Sequence, residues 1–278
     1  MKLTHLLFSA LLVISQSAIS ATFYTSDFEK GSFAAENNSV FSWTDSAYTS
    51  IVTHSSKVGD SGTKALQFTY IVGGNESEQR FSLAKAYPEI WIRYWLQVPT
   101  NFKHNQPAGW PTNCKLFALW MDDYSNKGAG STILWEFWDN GKNGSNLAVH
   151  YSEGNYTITG EHLQLKPFIT YPTDQGRWMQ IVLHARASSK AGVKDGLIEM
   201  YRRWDDEGDF TKLHSVTGAN LPIPAGGPAG WKAGYFMGWT NPGYVAQTLW
   251  YVNDVEFSDS SLLTLTSKPN APAARLIK

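Results

Sequence analysis

Histidine and arginine lie together on the polar face of one predicted strand. The stretch GRWMQIVLHARAS, residues 176–188, alternates apolar and polar residues, so Ile181 and Leu183 lie on one face while His184 and Arg186 lie on the other. A histidine can accept or donate a proton near neutral pH, and an arginine can neutralise an anionic group. The pattern therefore predicts a surface that does more than contact water.

Five further segments divide in the same way into an aliphatic face and a chemically richer face: EIWIRYWLQV, STILWEFWDN, NLAVHYSE, GLIEMYRRW and TLWYVNDVEF. In the last of them, alternation places Leu249 and Tyr251 with Val255 and Phe257, opposite Trp250. If the strands share one sheet, their second faces form a single groove. The residues predicted to line it are Arg93, Trp95, Glu136, Trp138, His150, Glu199 and Tyr201.

Aromatic rings mixed with hydrogen-bonding and charged groups suit a carbohydrate chain, because sugar rings present apolar faces and hydroxyl edges. We predict that Lys115, in CKLF, and Trp231, at the end of the loop GANLPIPAGGPAGW, contact the same ligand. A second long loop, NFKHNQPAGWPTN, contains Trp110. A purely structural interpretation stays open, since tryptophan packs well on pleated surfaces and cross-strand Arg–Glu pairs stabilise ordinary sheets.

Composition and turn spacing predict an all-β chain. The sequence has 23 glycines and 14% aromatic residues, and its ten or so short strands are not separated by helical crossovers. Such strands pair mostly antiparallel, so we expect a two-sheet antiparallel β-sandwich of the jelly-roll type. The single cysteine, Cys114, excludes an internal disulfide, and stability must come from a large core.

The two ends of the chain differ from the rest. Residues 1–21 have a basic start, a short apolar run and small residues before Ala21, which predicts a signal peptide and a secreted protein, extracellular or periplasmic. We expect the sandwich domain to span residues 22–262 and a flexible tail to span residues 263–278. The net charge of −1 without a basic block argues against nucleic-acid and membrane partners, and we expect a monomer.

The order of these segments resembles the concanavalin A-like lectin and glucanase superfamily. Within it, the run from WIRYWLQVP through WEFWDNG and GRWMQIVLHARAS to LWYVNDVEFSD is most similar to jelly-roll polysaccharide lyases of the heparin lyase and glucuronan lyase type. The resemblance covers roughly Phe23 to Ser260. It implies a sandwich whose concave sheet forms a polysaccharide groove.

An endo-lyase that cleaves a uronic-acid polysaccharide by β-elimination is the predicted activity. This reaction needs a group that neutralises the carboxylate, a base for the C5 proton and an acid for the leaving oxygen. We predict His184 or His150 as the base, Tyr201 as the acid, and Arg93 or Arg186 as the partner of the carboxylate. These roles follow from chemistry and strand facing, not from a residue-by-residue match to the family.

Two other functions remain open. A non-catalytic, lectin-like protein would need the aromatic platform but no acid and base. A glycoside hydrolase is less favoured, because Glu136 and Asp139 are three residues apart and so lie on opposite faces of a regular strand. An inverting pair assembled across strands, such as Glu136 with Glu199, would still be compatible with hydrolysis.

No cofactor is expected to be required, although a structural calcium ion is a further hypothesis. The segments WDDEGDF, residues 204–210, and MDDYSN, residues 121–126, cluster the carboxylates that calcium prefers. Neither matches the twelve-residue calcium loop of helical sensors, and no His/Cys spacing indicates zinc. Sequons for N-glycosylation occur at Asn37, Asn75, Asn143 and Asn155.

Overall fold

The structure is a computed structural model that describes residues 22–54, 62–106, 112–122, 124, 130–152 and 158–264, with backbone alone for residues 158–166. The predicted signal peptide, Trp110, Asn155 and all but two residues of the predicted tail lie outside these ranges. Those expectations therefore stay predictions. Within the described ranges, no helix is both long and apolar enough to cross a membrane.

Sixteen strands and one short helix make up the described chain. In chain order they are β1 (Thr22–Ser26), α1 (Phe33–Glu36), β2 (Phe41–Ala47), β3 (Thr49–Thr53), β4 (Lys64–Tyr70), β5 (Glu78–Tyr87), β6 (Glu89–Gln97), β7 (Asn113–Trp120), β8 (Thr132–Asp139), β9 (Gly144–Ser152), β10 (Ile158–Thr170), β11 (Trp178–Arg186), β12 (Gly196–Trp204), β13 (Thr211–Ala219), β14 (Trp231–Met237), β15 (Thr240–Asn241) and β16 (Thr248–Ser258).

The strands form two antiparallel sheets of eight strands each, which confirms the predicted all-β sandwich. The front sheet has the order β10-β9-β8-β7-β14-β5-β2, with β15 paired to β7. The back sheet has the order β13-β12-β11-β6-β16-β4-β3, with β1 paired to β16. Strands β8 and β9 therefore belong to one sheet, while β6, β11 and β12 belong to the other.

One apolar core fills the space between the sheets, and the alternation of β6, β8 and β11 is as predicted. From β11, Ile181 and Leu183 point into this core, and from β8, Trp135 and Phe137 meet them from the other side. Burying large apolar side chains in this way is the main favourable term in folding a chain that cannot form an internal disulfide.

Strand β16 departs from regular alternation. Its pairing with β6 shifts register between Asn253 and Glu256, and Asp254 has a φ of 45°. The bulge moves Trp250 to the core side together with Val255 and Phe257. The prediction that Trp250 lies opposite those two residues is therefore wrong, because a one-residue bulge changes which side chains share a face.

Candidate active site

The outer face of the front sheet collects ionisable and aromatic side chains on three neighbouring strands. Cross-strand pairing sets Lys115 of β7 directly beside Glu136 of β8. His150 of β9 pairs with Leu134, which places it diagonally across from Glu136. The pairing of β7 with β8 is irregular between Lys115 and Phe117, and such bulges re-aim side chains next to functional sites.

Glu136 is the hub of this face. One oxygen, Oε2, accepts hydrogen bonds from Trp138 Nε1 at 2.9 Å and from Asn113 Nδ2 at 3.1 Å, and it lies 3.3 Å from His150 Nε2. Burial by itself would raise the pKa of Glu136. The hydrogen bond and charge of His150, the indole of Trp138 and the charge of Lys115 outweigh burial and lower the pKa. Glu136 is therefore a fixed negative charge at the floor of the site.

Lys115 lies at one end of a line of hydroxyl groups. Its Nζ donates to the hydroxyl of Tyr124 at 2.8 Å, and that hydroxyl lies 2.9 Å from the hydroxyl of Tyr235. Burial lowers the pKa of Lys115, because a charged amine loses its hydration there, while Glu136 and Glu78 oppose the effect. A lysine in this condition gives up its proton more readily than an exposed one, which suits it to proton transfer.

Lys115, Glu136 and His150 line a pocket of about 220 Å³ that is open to solvent, and the two tyrosine hydroxyls lie beside Lys115 outside this lining. Arg80 of β5 lies beyond Tyr235 on the same face, where its guanidinium carbon is 5.9 Å from the Tyr124 ring and 6.0 Å from the Trp120 ring. The pocket is lined by Asn113, Lys115, Thr132, Leu134, Glu136, Trp138, His150, Tyr151 and Ser152. The site thus offers cations, a proton donor and half-buried rings at one place.

The back sheet holds a second cluster, centred on His184. Its Nε2 lies 2.7 Å from Glu89 and its Nδ1 lies 2.9 Å from Glu199, while its ring stacks on Trp91 with a centroid distance of 3.7 Å. Tyr201 donates to Glu199 at 2.9 Å. His184 is 4% exposed and both its nitrogens face carboxylates, so neither is open to a substrate in this arrangement.

Arg93 and Trp95 also lie on the back sheet, where neighbouring side chains occupy them. The guanidinium of Arg93 bonds both oxygens of Glu256, at 2.8 and 2.7 Å, and donates to the carbonyl of Leu262 at 2.9 Å. Trp95 is buried beneath Arg203, whose guanidinium carbon is 5.0 Å from the ring. The chain after β16 thus crosses this face and is held to it by Arg93.

The condition for a single groove, that the strands share one sheet, is not met. The structure brings together Lys115, Glu136, Trp138 and His150 on the front sheet. On the back sheet lie the other residues predicted to line the groove: Arg93, Trp95, His184, Arg186, Glu199 and Tyr201. The outer faces of the two sheets point in opposite directions, so no single sugar chain can contact both clusters at once.

Trp231 does not lie on the surface where the sequence predicts it. We predicted that it contacts a ligand from a loop, but it begins β14 and its side chain is fully buried in the core. Gly230 makes this placement possible. A Cβ there would lie 2.2 Å from the carbonyl oxygen of Tyr87, and its φ of 139° suits glycine, so the chain can pass close to β5 and direct the indole inward.

Four residues of the front face were not predicted from the sequence: Arg80, Asn113, Tyr124 and Tyr235. Tyr235 could have been found by alternation, since it lies between Gly234 and the inward-facing Phe236. Tyr124 follows the end of β7 in an irregular segment, where no periodicity indicates direction.

Among the described residues, no group of three or more His, Cys, Asp or Glu side chains is placed to hold a metal ion. The calcium hypothesis stays a prediction, and Asp123 lies outside the described ranges.

No protein-family model matches the chain, and no curated protein matches its sequence. Solved structures do match its fold. The alginate lyase vAL-1 from Chlorella virus superposes with a TM-score of 0.53 at 11% identity, covering 85% of this chain and 99% of that one. The chain has the concanavalin A-like jelly-roll fold. This confirms the fold that the sequence resemblance implied.

Two further structures have lower scores. The alginate lyase Aly36B, a double mutant in complex with alginate trisaccharide, has a TM-score of 0.47 at 9% identity over 69% of this chain and 80% of that one. The carbohydrate recognition domain of Emp46p, in its potassium-bound form, has a TM-score of 0.49 at 8% identity over 86% and 98%. Lyases and carbohydrate-binding domains thus occur among the structural neighbours, and identities this low establish the fold alone.

Proposed function

We propose that the protein is a secreted endo-lyase that cleaves a uronic-acid polysaccharide by β-elimination in the front-sheet pocket. One observation carries the proposal: Lys115, whose pKa burial lowers, lies 2.8 Å from the Tyr124 hydroxyl on an open sheet face. A proton acceptor and a proton donor so close together can serve the two ends of one elimination.

In the proposed reaction, the neutral amine of Lys115 removes the proton from C5 of the uronate. The electron pair of the C5–H bond forms the C4–C5 double bond, and the C4–O4 bond breaks. Tyr124 gives its phenolic proton to the leaving O4, and Tyr235 lies 2.9 Å from the Tyr124 hydroxyl, where it can support that proton transfer. Proton transfer back from Lys115 to Tyr124, which it contacts directly, restores both groups.

The uronate carboxylate needs a cation before the C5 proton becomes acidic enough to remove. Arg80, whose Nε donates to Glu78, and His150 lie on either side of Lys115 along the sheet and can supply that charge. Glu136 Oε2 lies 3.3 Å from His150 Nε2, and both side chains line the pocket. In this arrangement His150 binds the carboxylate, whereas the sequence alone suggested it as a base.

The position of the acid and the base restricts the stereochemistry. Groups 2.8 Å apart can reach only one side of a sugar ring, so the C5 proton and O4 must lie on the same side. Mannuronate and glucuronate residues meet this condition, while guluronate and galacturonate residues do not. We therefore propose polymannuronate or polyglucuronate as the better substrates.

The test is the ultraviolet absorbance of the unsaturated product, measured on polymannuronate, polyguluronate, polyglucuronate and polygalacturonate. The wild-type chain should release product from the first or third polymer. Lys115→Met and Tyr124→Phe should each lower kcat by about 10²-fold or more. His184→Asn on the back sheet is the matched control and should retain kcat. The proposal fails if the wild type releases product from none of the four.

A lectin-like function is the second candidate. It is favoured by the hydrogen bonds that neighbouring side chains already make to the Glu136 carboxylate. Because its Oε2 already accepts bonds from two side chains and lies beside a third, the carboxylate serves to hold the pocket in shape, as a binding site requires. Retention on one of the four polymers without release of unsaturated product would support this function in place of the lyase.

A further inference from the structure

Trp239 is the one tryptophan in the described ranges that is largely open to solvent. Its side chain is 44% exposed, whereas Trp138 is half-buried and the other described tryptophans are buried. Its polar group is already occupied, since Nε1 donates to Asn241 Oδ1 at 2.7 Å. The exposed part of the side chain is therefore the apolar face of the indole ring, and the hydrogen bond to Asn241 holds the ring at one edge.

The position of Trp239 relates it to the pocket. Its carbonyl accepts a hydrogen bond from the Lys115 backbone at 2.9 Å, so it lies one strand away from Lys115, at a spacing of about 5 Å. Gly238 allows the chain to pass this close to Lys115. A Cβ at that position would lie 2.9 Å from the Tyr235 ring and 3.4 Å from Lys115 Cβ.

A chain of side-chain amides ties Trp239 to the floor of the site. Asn241 Nδ2 donates to Asn113 Oδ1 at 3.2 Å, and Asn113 Nδ2 donates to Glu136 Oε2 at 3.1 Å. Thr240, between Trp239 and Asn241, points inward and contacts the thiol of Cys114, which directs its two neighbours outward. Trp239 thus shares the outer face with Lys115 and is fixed with respect to Glu136.

We propose that Trp239 is a stacking platform for the pyranose ring next to the one bound at Lys115, so that the polysaccharide runs across the strands from His150 toward β15. An exposed, oriented indole offers its face to the C–H face of a sugar without loss of side-chain freedom on binding. This deepens the proposed function by naming a second subsite, and as a binding site it also holds if the protein only binds sugar.

The experiment is electrophoresis through gels that contain polymannuronate, polyglucuronate, polyguluronate or polygalacturonate, which gives a Kd from the retardation. All variants are made in the Tyr124→Phe background, so that the polymer is not consumed and the Lys115 side chain remains. Trp239→Ala should raise the Kd about tenfold and Trp239→Phe less than about threefold. Val193→Ala, which removes another exposed apolar side chain from the hairpin between β11 and β12, is the matched control and should leave the Kd unchanged.

The outcomes separate this proposal from the lyase. If Trp239→Ala is retarded as strongly as its parent, or if no polymer retards the parent, the platform is refuted whatever the absorbance assay shows. If Trp239→Ala loses retardation while the wild type releases no product, the platform stands and the lyase fails. In an active enzyme, Trp239→Ala should raise KM about tenfold and change kcat by less than about threefold.

Discussion

Replacing Glu199 by glutamine should destabilise the protein and leave turnover in the front-sheet pocket unchanged. Burial alone would raise the pKa of this carboxyl group. Hydrogen bonds from Lys212, His184 and Tyr201 reverse that effect and lower the pKa from 4.5 to about 2. The charged form is thus favoured by folding, and glutamine removes the charge while keeping a similar shape.

The magnitude follows from linkage. At about 1.36 kcal/mol per pKa unit, a fall from 4.5 to about 2 corresponds to at most about 3 kcal/mol of stability. Lys212 is about half exposed, so water and salt screen its contribution, and we expect about 1–2 kcal/mol. Because the folded pKa lies below the unfolded one, this stability is complete above pH 4.5 and disappears as the pH falls toward about 2.

The assay is urea unfolding of the wild type and Glu199→Gln at a series of pH values between about 7 and 2. The difference in unfolding free energy should shrink across the acidic half of this range. Asp206→Asn is the matched control: its side chain is 72% exposed and bonds Arg177, so it should cost less than about 0.5 kcal/mol. A difference that stays constant with pH would refute the reasoning. A folded Glu199→Gln without turnover would instead move the active site to the back sheet.

Three further predictions concern the pocket, the core and the last described segment. Activity should rise with pH as Lys115 loses its proton, with a midpoint below 10.5, and a midpoint at or above that value in a pH–rate profile would contradict the lowered pKa. Trp231→Ala should cost about 3–5 kcal/mol in urea unfolding, because it empties a fully buried site, and a loss under about 1 kcal/mol would contradict the placement of the indole. Arg93→Met should cost about 2 kcal/mol by leaving Glu256 unpaired, and it should make the chain near Leu262 more sensitive to protease; unchanged cleavage there would show that Arg93 does not hold the segment.

Alternation predicted the direction of side chains wherever a strand is regular. On β11 the inward residues Ile181 and Leu183 were assigned from sequence alone, because successive side chains of a strand point to opposite faces. The same rule failed at β16, where the bulge at Asp254 moved Trp250 to the core side. It also gave no information about Tyr124, which lies in an irregular segment between strands.

The sequence by itself determined the all-β class of the fold, the core-facing positions of the regular strands and the types of residue on their outer faces. It did not determine which outer face each residue occupies. In a sandwich both sheets share one core, so a residue that points outward from one sheet points away from its counterpart on the other. His150 and His184 carry the same alternation signal, yet they lie on opposite sides of the molecule. Only the pairing of distant strands, which tertiary packing decides, placed Lys115 and Glu136 beside His150 and separated them from His184.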